Sequence, residues 1–246
     1  MAVFDTGPGI VGLYEANRDY LNYYVDDRFE YYGLYKREAV NARIEYLQKF
    51  FKKDKKIYVM DFDAINYFKD DERADFGEKA LKKHLKDKRI LCLGTELTSA
   101  EKTLGNFTDS PVSYLSLPLL INACNDGVAD EIVRMISDEY FSDEDFRKYD
   151  LIFLASSGLH LKKDFFKKYF TAKSSNIEIF SNTDAILEDY DYKKENYIRD
   201  YFYVTGSKRG FYSRAEKYLR EKKVLKDGEL LNVSNFLKKG NKKSPK

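Results

Sequence analysis

The chain has 246 residues, 43% hydrophobic and 34% charged, with 43 basic against 41 acidic side chains and a net charge of +2. That balance excludes a disordered chain and leaves no electrostatic footprint for nucleic acid, and no apolar run reaches the roughly 18–20 residues that span a bilayer. Two cysteines and two histidines exclude a disulfide framework and any zinc-type ligand spacing, so no cofactor, metal, nucleic-acid or membrane partner is expected.

Met1-Ala2-Val3-Phe4-Asp5 reaches an acid at once and lacks a basic leader, which predicts a cytoplasmic protein. From there, short apolar runs alternate with amphipathic stretches, the pattern of an α/β chain with mainly parallel sheets. Strands are predicted at Ala2–Asp5, Asn22–Val25, Lys56–Met60, Arg89–Leu93, Val112–Leu117, Asp150–Leu154, Asn176–Ser181 and Tyr201–Thr205. A helix is predicted over Lys36–Lys53, where Val40, Ile44, Leu47 and Phe51 fall on one face. A second runs over Val128–Phe141, with Ile132, Met135, Ile136 and Tyr140 as its apolar stripe. Helices over Phe211–Glu221 and Val233–Lys238 close the chain, ahead of a lysine-rich tail read as solvated. The lysine-rich stretch 79–88 separates two strand–helix series and suggests a seam near Lys88.

Ligands of open α/β sheets gather beyond the carboxyl ends of the strands. Those ends read Asp5-Thr6-Gly7, Tyr32-Gly33, Asp61-Phe62-Asp63, Gly94-Thr95, Ala155-Ser156-Ser157 and Thr205-Gly206. Cys92 and Cys124 sit in apolar runs and read as buried reduced thiols, and His160 reads as a surface or helix-start residue. The tyrosines at 20, 23, 24, 31, 32 and 35 suit either a recognition surface or a core and pocket wall.

In order and spacing these strand ends resemble the aspartate/glutamate racemase family, closest to glutamate racemase. Asp5-Thr6-Gly7-Pro8-Gly9 matches the family's opening Asp-Ser-Gly-x-Gly with Thr for Ser. Tyr31-Tyr32-Gly33 stands where the family has Pro-Tyr-Gly, and Gly94-Thr95-Glu96-Leu97-Thr98 resembles its Gly-Thr-x-x-Thr. Pro118-Leu119, a stretch ending at Asp126-Gly127, and Tyr203-Val204-Thr205-Gly206 are similar to later elements, so that the likeness runs from Ala2 to Leu219. It implies two similar α/β domains related by a pseudo-twofold, with a ligand cleft between them. The first would comprise residues 1–88 plus 206–246, and the second residues 89–205. A homodimer or protein partner is compatible with it.

The departures bear on chemistry. The family's two-base mechanism removes an α-proton with one thiolate and returns one from a thiol on the opposite face. Here the first cysteine position is Asp61, in Met60-Asp61-Phe62-Asp63, and the second is Ala155, in Leu154-Ala155-Ser156-Ser157. The family's acid before its glycine is ambiguous here, because the pair that aligns with it is Asn125-Asp126. A thiol titrates near 8.5 and an aspartate near 3.9, so the exchange at Asp61 gives up more than about four units of basicity, roughly 6 kcal/mol. Ala155 offers no titratable group.

Asp61 and Asp5 are therefore the candidate catalytic residues, and Asp5, Thr6, Tyr32, Gly33, Phe62, Asp63, Ser156 and Ser157 the candidate ligand-binding ones. Asp61 and Asp63 put two negative charges where the family's neutral donors would meet an amino-acid carboxylate, which disfavours free glutamate and favours a cationic or neutral molecule. Three readings stay open: a racemase-like protein that no longer racemises and binds or interacts through its cleft; an amino-acid racemase or isomerase rebuilt on Asp61 with Asp5 or a serine; and a lyase or hydrolase using Asp61 and Asp63.

Overall fold

A computed structural model describes residues 1–16, 21–27, 32–190, 201–219 and 230–232. Its strands are β1 (Ala2–Asp5), β2 (Asn22–Val25), β3 (Ile57–Val59), β4 (Ala74–Asp75), β5 (Ile90–Gly94), β6 (Val112–Ser116), β7 (Leu151–Leu154), β8 (Glu178–Ser181), β9 (Tyr201–Val204) and β10 (Leu230–Asn232). All pair in parallel, in a six-stranded sheet of order β10-β9-β2-β1-β3-β4 and a four-stranded sheet of order β6-β5-β7-β8. Parallel strands covered on both faces need apolar residues throughout. Accordingly β1, β2, β3, β5 and β7 are buried along their whole length.

The two-residue side-chain period sorts those residues between cores. Phe4 and Val59 of the first sheet and Cys92 and Phe153 of the second enter one shared core. Val3, Tyr23, Val25 and Tyr58 back the first sheet from its other side, and Leu91, Leu93, Ile152 and Leu154 back the second. Because the two sheets share a core, their strand ends are held in fixed relation, and that is what creates a site. Both cysteines are buried and unpaired. Among the described residues no helix is long and apolar enough to cross a membrane.

The predicted face of the Lys36–Lys53 segment is the buried one. Val40, Ile44 and Leu47 lie inward on helix Arg37–Gln48, and Phe51 follows on a tighter turn, Phe50–Lys53. Helix Glu78–Leu85 occupies the lysine-rich stretch. Its free N–H groups at Lys79 and Ala80 donate to Asp189 Oδ2 at 2.8 and 3.2 Å. Gly77 precedes it at φ 72°, and a Cβ there would fall 2.5 Å from the Ala185 backbone, so glycine is required on both counts.

Two expectations are corrected. Strand Tyr201–Val204, assigned from sequence to the segment 89–205, pairs with β2 and belongs to the first sheet. Its aromatic residues stack on that neighbour, Tyr203 on Tyr24 and Phe202 on Tyr23. Second, helix Asp130–Tyr140 buries only half of the stripe that periodicity selected: Ile136 and Tyr140 pack, partly buried, against the second sheet's core, but Ile132 and Met135 are 48% and 72% exposed, while Val133 and Ser137 are buried. The buried serine satisfies itself, its Oγ–H donating to the Val133 carbonyl at 2.7 Å, so it costs little to place in the core. Of the two readings left open for the tyrosine cluster, the core is the one observed: Tyr23, Tyr24 and Tyr32 are core residues, and of the described members only Tyr35 is exposed. Tyr20, Tyr31, Glu221, Val233–Lys238 and the lysine tail lie outside the described residues.

Candidate functional site

Four strand ends converge. β1 runs into Asp5-Thr6, β3 into Asp61-Phe62-Asp63, β5 into Thr95, and β7 into Ala155-Ser156-Ser157. Thr6, Asp61, Phe62, Asp63, Ala155, Ser156 and Ser157 line one cavity of about 20 Å³, together with Gly7, Thr95, Ile121 and Asn125. A water molecule needs about 10–15 Å³ by this measure, so the closed cleft holds one water-sized group and no amino acid.

The carboxylates take up nearly every hydroxyl proton around that cavity. Thr6 Oγ1–H donates to Asp61 Oδ2, and the backbone N–H groups of Asp63 and Ala64 donate to Asp61 Oδ1 at 2.8 and 3.2 Å. Asp63 Oδ1 accepts from Thr95 Oγ1 at 2.5 Å and Thr98 Oγ1 at 2.6 Å. Asp5 Oδ1 accepts from the Thr6 N–H at 2.9 Å and from Ser157 Oγ at 3.0 Å. Two of these interactions, Asp5 with Ser157 and Asp63 with the two threonines, join the end of a first-sheet strand to a second-sheet segment and hold the cleft shut.

Burial dominates the electrostatics. It pushes Asp5 up to about 7 against the lowering effect of the Ser157 hydroxyl and nearby N–H groups. Asp61 is raised well above the usual carboxylate range by burial and by the charges of Asp63 and Asp5. Asp63 is raised by burial, although the hydroxyls of Thr95 and Thr98 pull the other way. These are the responses of carboxylates crowded in a low-dielectric pocket without a cation. No group of three or more His, Cys, Asp or Glu among the described residues has the geometry to hold a metal ion.

Three candidates do not line this cavity, and the first, Asp5, is fully buried behind its wall and bonded to the lining residue Ser157. Tyr32 is buried with its hydroxyl donating to Asp26 Oδ2 at 3.1 Å, so it braces the end of β2 and does not line the cavity. Gly33 lines an adjoining cavity of about 170 Å³ that shares Asp63 and Thr95 with the first and is otherwise walled by residues such as Leu34, Leu97 and Pro118. Thr98 and Asn125 were not singled out as site residues. The Gly-Thr-x-x-Thr spacing carried a signal for Thr98, since hydroxyls at i and i+3 share one side of a helical turn. Asn125 ends helix Pro118–Asn125, and its signal was the pair Asn125-Asp126 that aligns with the family's acid before its glycine.

Neither thiol substitutes for the absent pair. Cys92 and Cys124 lie in the cores and do not line the cavity; burial pushes Cys124 up to about 12 and raises Cys92 as well. His160 engages Ser181 Oγ at 2.8 Å and lines a different cavity with Val11, Gly12 and Glu15, so it does not activate Ser156 or Ser157.

No protein-family model matches the sequence, and a search of curated proteins returned no match. Solved structures do match. Glutamate racemase from Thermus thermophilus, in complex with β-chloro-D-alanine, superposes with a TM-score of 0.72 at 18% identity, covering 94% of this chain and 95% of that one. The glutamate racemase of Francisella tularensis, in complex with D-glutamate, gives 0.70 at 16% identity over 94% and 96% of the two chains. That of Campylobacter jejuni gives 0.68 at 17% identity over 90% and 99%. With two parallel sheets whose strand ends meet at one cleft, and near-complete coverage in both directions, the chain has the fold of the glutamate racemases.

Proposed function

We propose that this is a glutamate-racemase-like protein that no longer racemises through cysteine and keeps its cleft as a small-molecule-binding or interaction site. The observation that supports this is the composition of the cavity wall. Asp61 after β3 and Ala155 after β7, the positions at which the resemblance implies the two thiols, line the same cavity, and no sulfur lines it with them. Removing a proton α to a carboxylate needs a strong base within about 3 Å on one face and an acid on the other. Asp61 starts from a carboxylate's basicity, several units below a thiol's, and its partner position has no titratable group. The two cleft-closing interactions point the same way, because they commit the available hydroxyls to the protein itself.

The test is α-proton exchange. L-Glutamate or L-aspartate incubated with the protein in D₂O and followed by NMR should show no exchange above the buffer rate; exchange well above it overturns the proposal. A thermal-shift screen of amino acids, amines and divalent ions then reports whether the cleft accepts a ligand. Asp61→Cys with Ala155→Cys asks whether the scaffold still holds two thiols across a substrate.

A second reading has one specific observation behind it. Ser157 donates to Asp5, and Asp5 is pushed to about 7, where a general base works at neutral pH. An isomerase rebuilt on Asp61 with Asp5 or a serine would use that pair. Any exchange found in D₂O should then vanish in Ser157→Ala.

A further inference from the structure

Around the cleft the hydrogen-bond inventory is lopsided. The protons of Thr6, Thr95, Thr98 and Ser157 are spent on Asp61, Asp63 and Asp5. Besides the Ser156 hydroxyl and the Asn125 amide N–H groups, what remains is acceptor capacity. Asn125, 8% exposed and lining the cavity, has a buried side-chain Oδ1 without a partner. Gly158 makes room for that amide, since a Cβ there would lie 2.2 Å from Asn125 Oδ1. Asp63 receives both of its hydroxyls on Oδ1, which leaves Oδ2 for a ligand. A buried acceptor with no donor costs about 1–3 kcal/mol, so a group that brings donors is favoured there.

We infer that the cleft takes the ammonium head of a small aliphatic primary amine, seated between Asp61, Asp63 and Asn125, with its tail in the adjoining apolar cavity. An –NH₃⁺ has three donors and no acceptor, the complement of this wall. The cavity of about 20 Å³ fits one such head, and the neighbouring space of about 170 Å³, which shares Asp63 and Thr95 with it and is walled by Leu34, Leu97 and Pro118, fits a short alkyl chain. A carboxylate on the ligand would face Asp61 and Asp63 and be repelled, which separates this ligand class from amino acids. The inference rests on the reading of the cleft as a retained small-molecule site.

Binding is coupled to protons. Among the described residues the groups facing Asp61 and Asp63 include Asp5 and Thr6 from the end of β1, Tyr32, Tyr67 from the helix after β3, and Thr95, Thr98 and Glu101 from the turn and helix after β5, with Glu101 itself paired to Arg37 at 3.3 Å. The charges that act on the two carboxylates are those of other acids, Arg37 being paired with Glu101, so a bound ammonium displaces protons held by the carboxylates, and affinity rises with pH.

Calorimetric titration of the full chain with n-butylammonium chloride at pH 6 and pH 8, in buffers of different ionisation enthalpy, tests this. One-to-one binding is expected, at least tenfold tighter at pH 8, with release of a fraction of a proton up to about one. Asp63→Asn, which keeps the shape and the threonine hydrogen bonds, should weaken it at least tenfold, and Asn125→Ser severalfold. Sodium n-butyrate should not bind. Binding of butyrate as tight as that of butylammonium, or unchanged affinity in Asp63→Asn, overturns the inference. Silence with butylammonium together with a thermal shift from another ligand class overturns the ammonium assignment alone; silence with every class overturns the small-molecule reading as well.

Discussion

Two buried acidic sites in the six-stranded sheet solve the same problem differently. Asp26, at the end of β2, is fully buried and brings its cation with it: Arg43 Nη2 lies 2.5 Å from Oδ1 and Nε 3.0 Å from Oδ2, with Tyr32 and Thr205 hydroxyls completing the set. Asp61 and Asp63, beyond β3, are surrounded by hydroxyls and further acids, and among the described residues no basic side chain bonds to them. A planar guanidinium locked on a carboxylate is structural, whereas carboxylates that can be satisfied only by protons or by a visitor are available for binding. The difference teaches where to look for a binding site, and it is why Asp61 and Asp63, and not Asp26, are the acids of the proposed one.

That contrast can be broken at either end. The largest effect should come from Arg43→Met, which turns Asp26 into an uncompensated buried charge and should cost about 3–5 kcal/mol by urea denaturation at pH 7. A loss below about 1 kcal/mol would mean that the hydroxyls alone suffice and that the two sites are not different in kind.

Next is the pH profile of stability. Asp5 titrates near 3.8 when unfolded and at about 7 when folded, so between those values the folded state binds more protons than the unfolded one. Stability is therefore fully present below about pH 4 and falls as pH rises towards 7, by up to about 4 kcal/mol for this group. Asp5→Asn should flatten that decline, and urea midpoints from pH 4 to 8 measure it. Thr98→Val removes one charge-assisted donor from Asp63 and should cost about 1–3 kcal/mol at pH 7. An unchanged midpoint would show that the cleft is not held closed by that interaction.

The smallest effect concerns the corrected helix. Met135→Lys should stay within about 0.5 kcal/mol of the parent because Met135 is exposed, while Val133→Ala on the buried face should cost about 1–3 kcal/mol. The reverse ranking would restore the stripe that periodicity selected.

The strands were legible to within a residue or two because parallel strands buried on both faces need continuous apolar runs, as at Ala2–Asp5 and Leu151–Leu154. The strands Ala74–Asp75 and Leu230–Asn232, two and three residues long, were not, since so short a segment carries no period. In helix Asp130–Tyr140 apolar residues occupy more than one face, so a periodic count alone could not choose between Ile132 and Val133. Within the site, Asp61, Asp63, Ser156 and Ser157 were legible as strand ends. Tyr32 misled because its role depends on Asp26, a partner six residues away whose own cation comes from another helix.

The sequence by itself determined the alternation of strands and helices, the identity of the residues at each strand end, and the absence of sulfur at Asp61 and Ala155, all of them local properties of the chain. Only the tertiary structure decided that β9 returns to the first sheet, that Thr95 and Thr98 reach across to Asp63 and Ser157 to Asp5, and that Asn125 is buried with an unmet acceptor. Hydroxyl-to-carboxylate contacts between residues 32 to 152 positions apart leave no local pattern, because they depend on two sheets sharing a core.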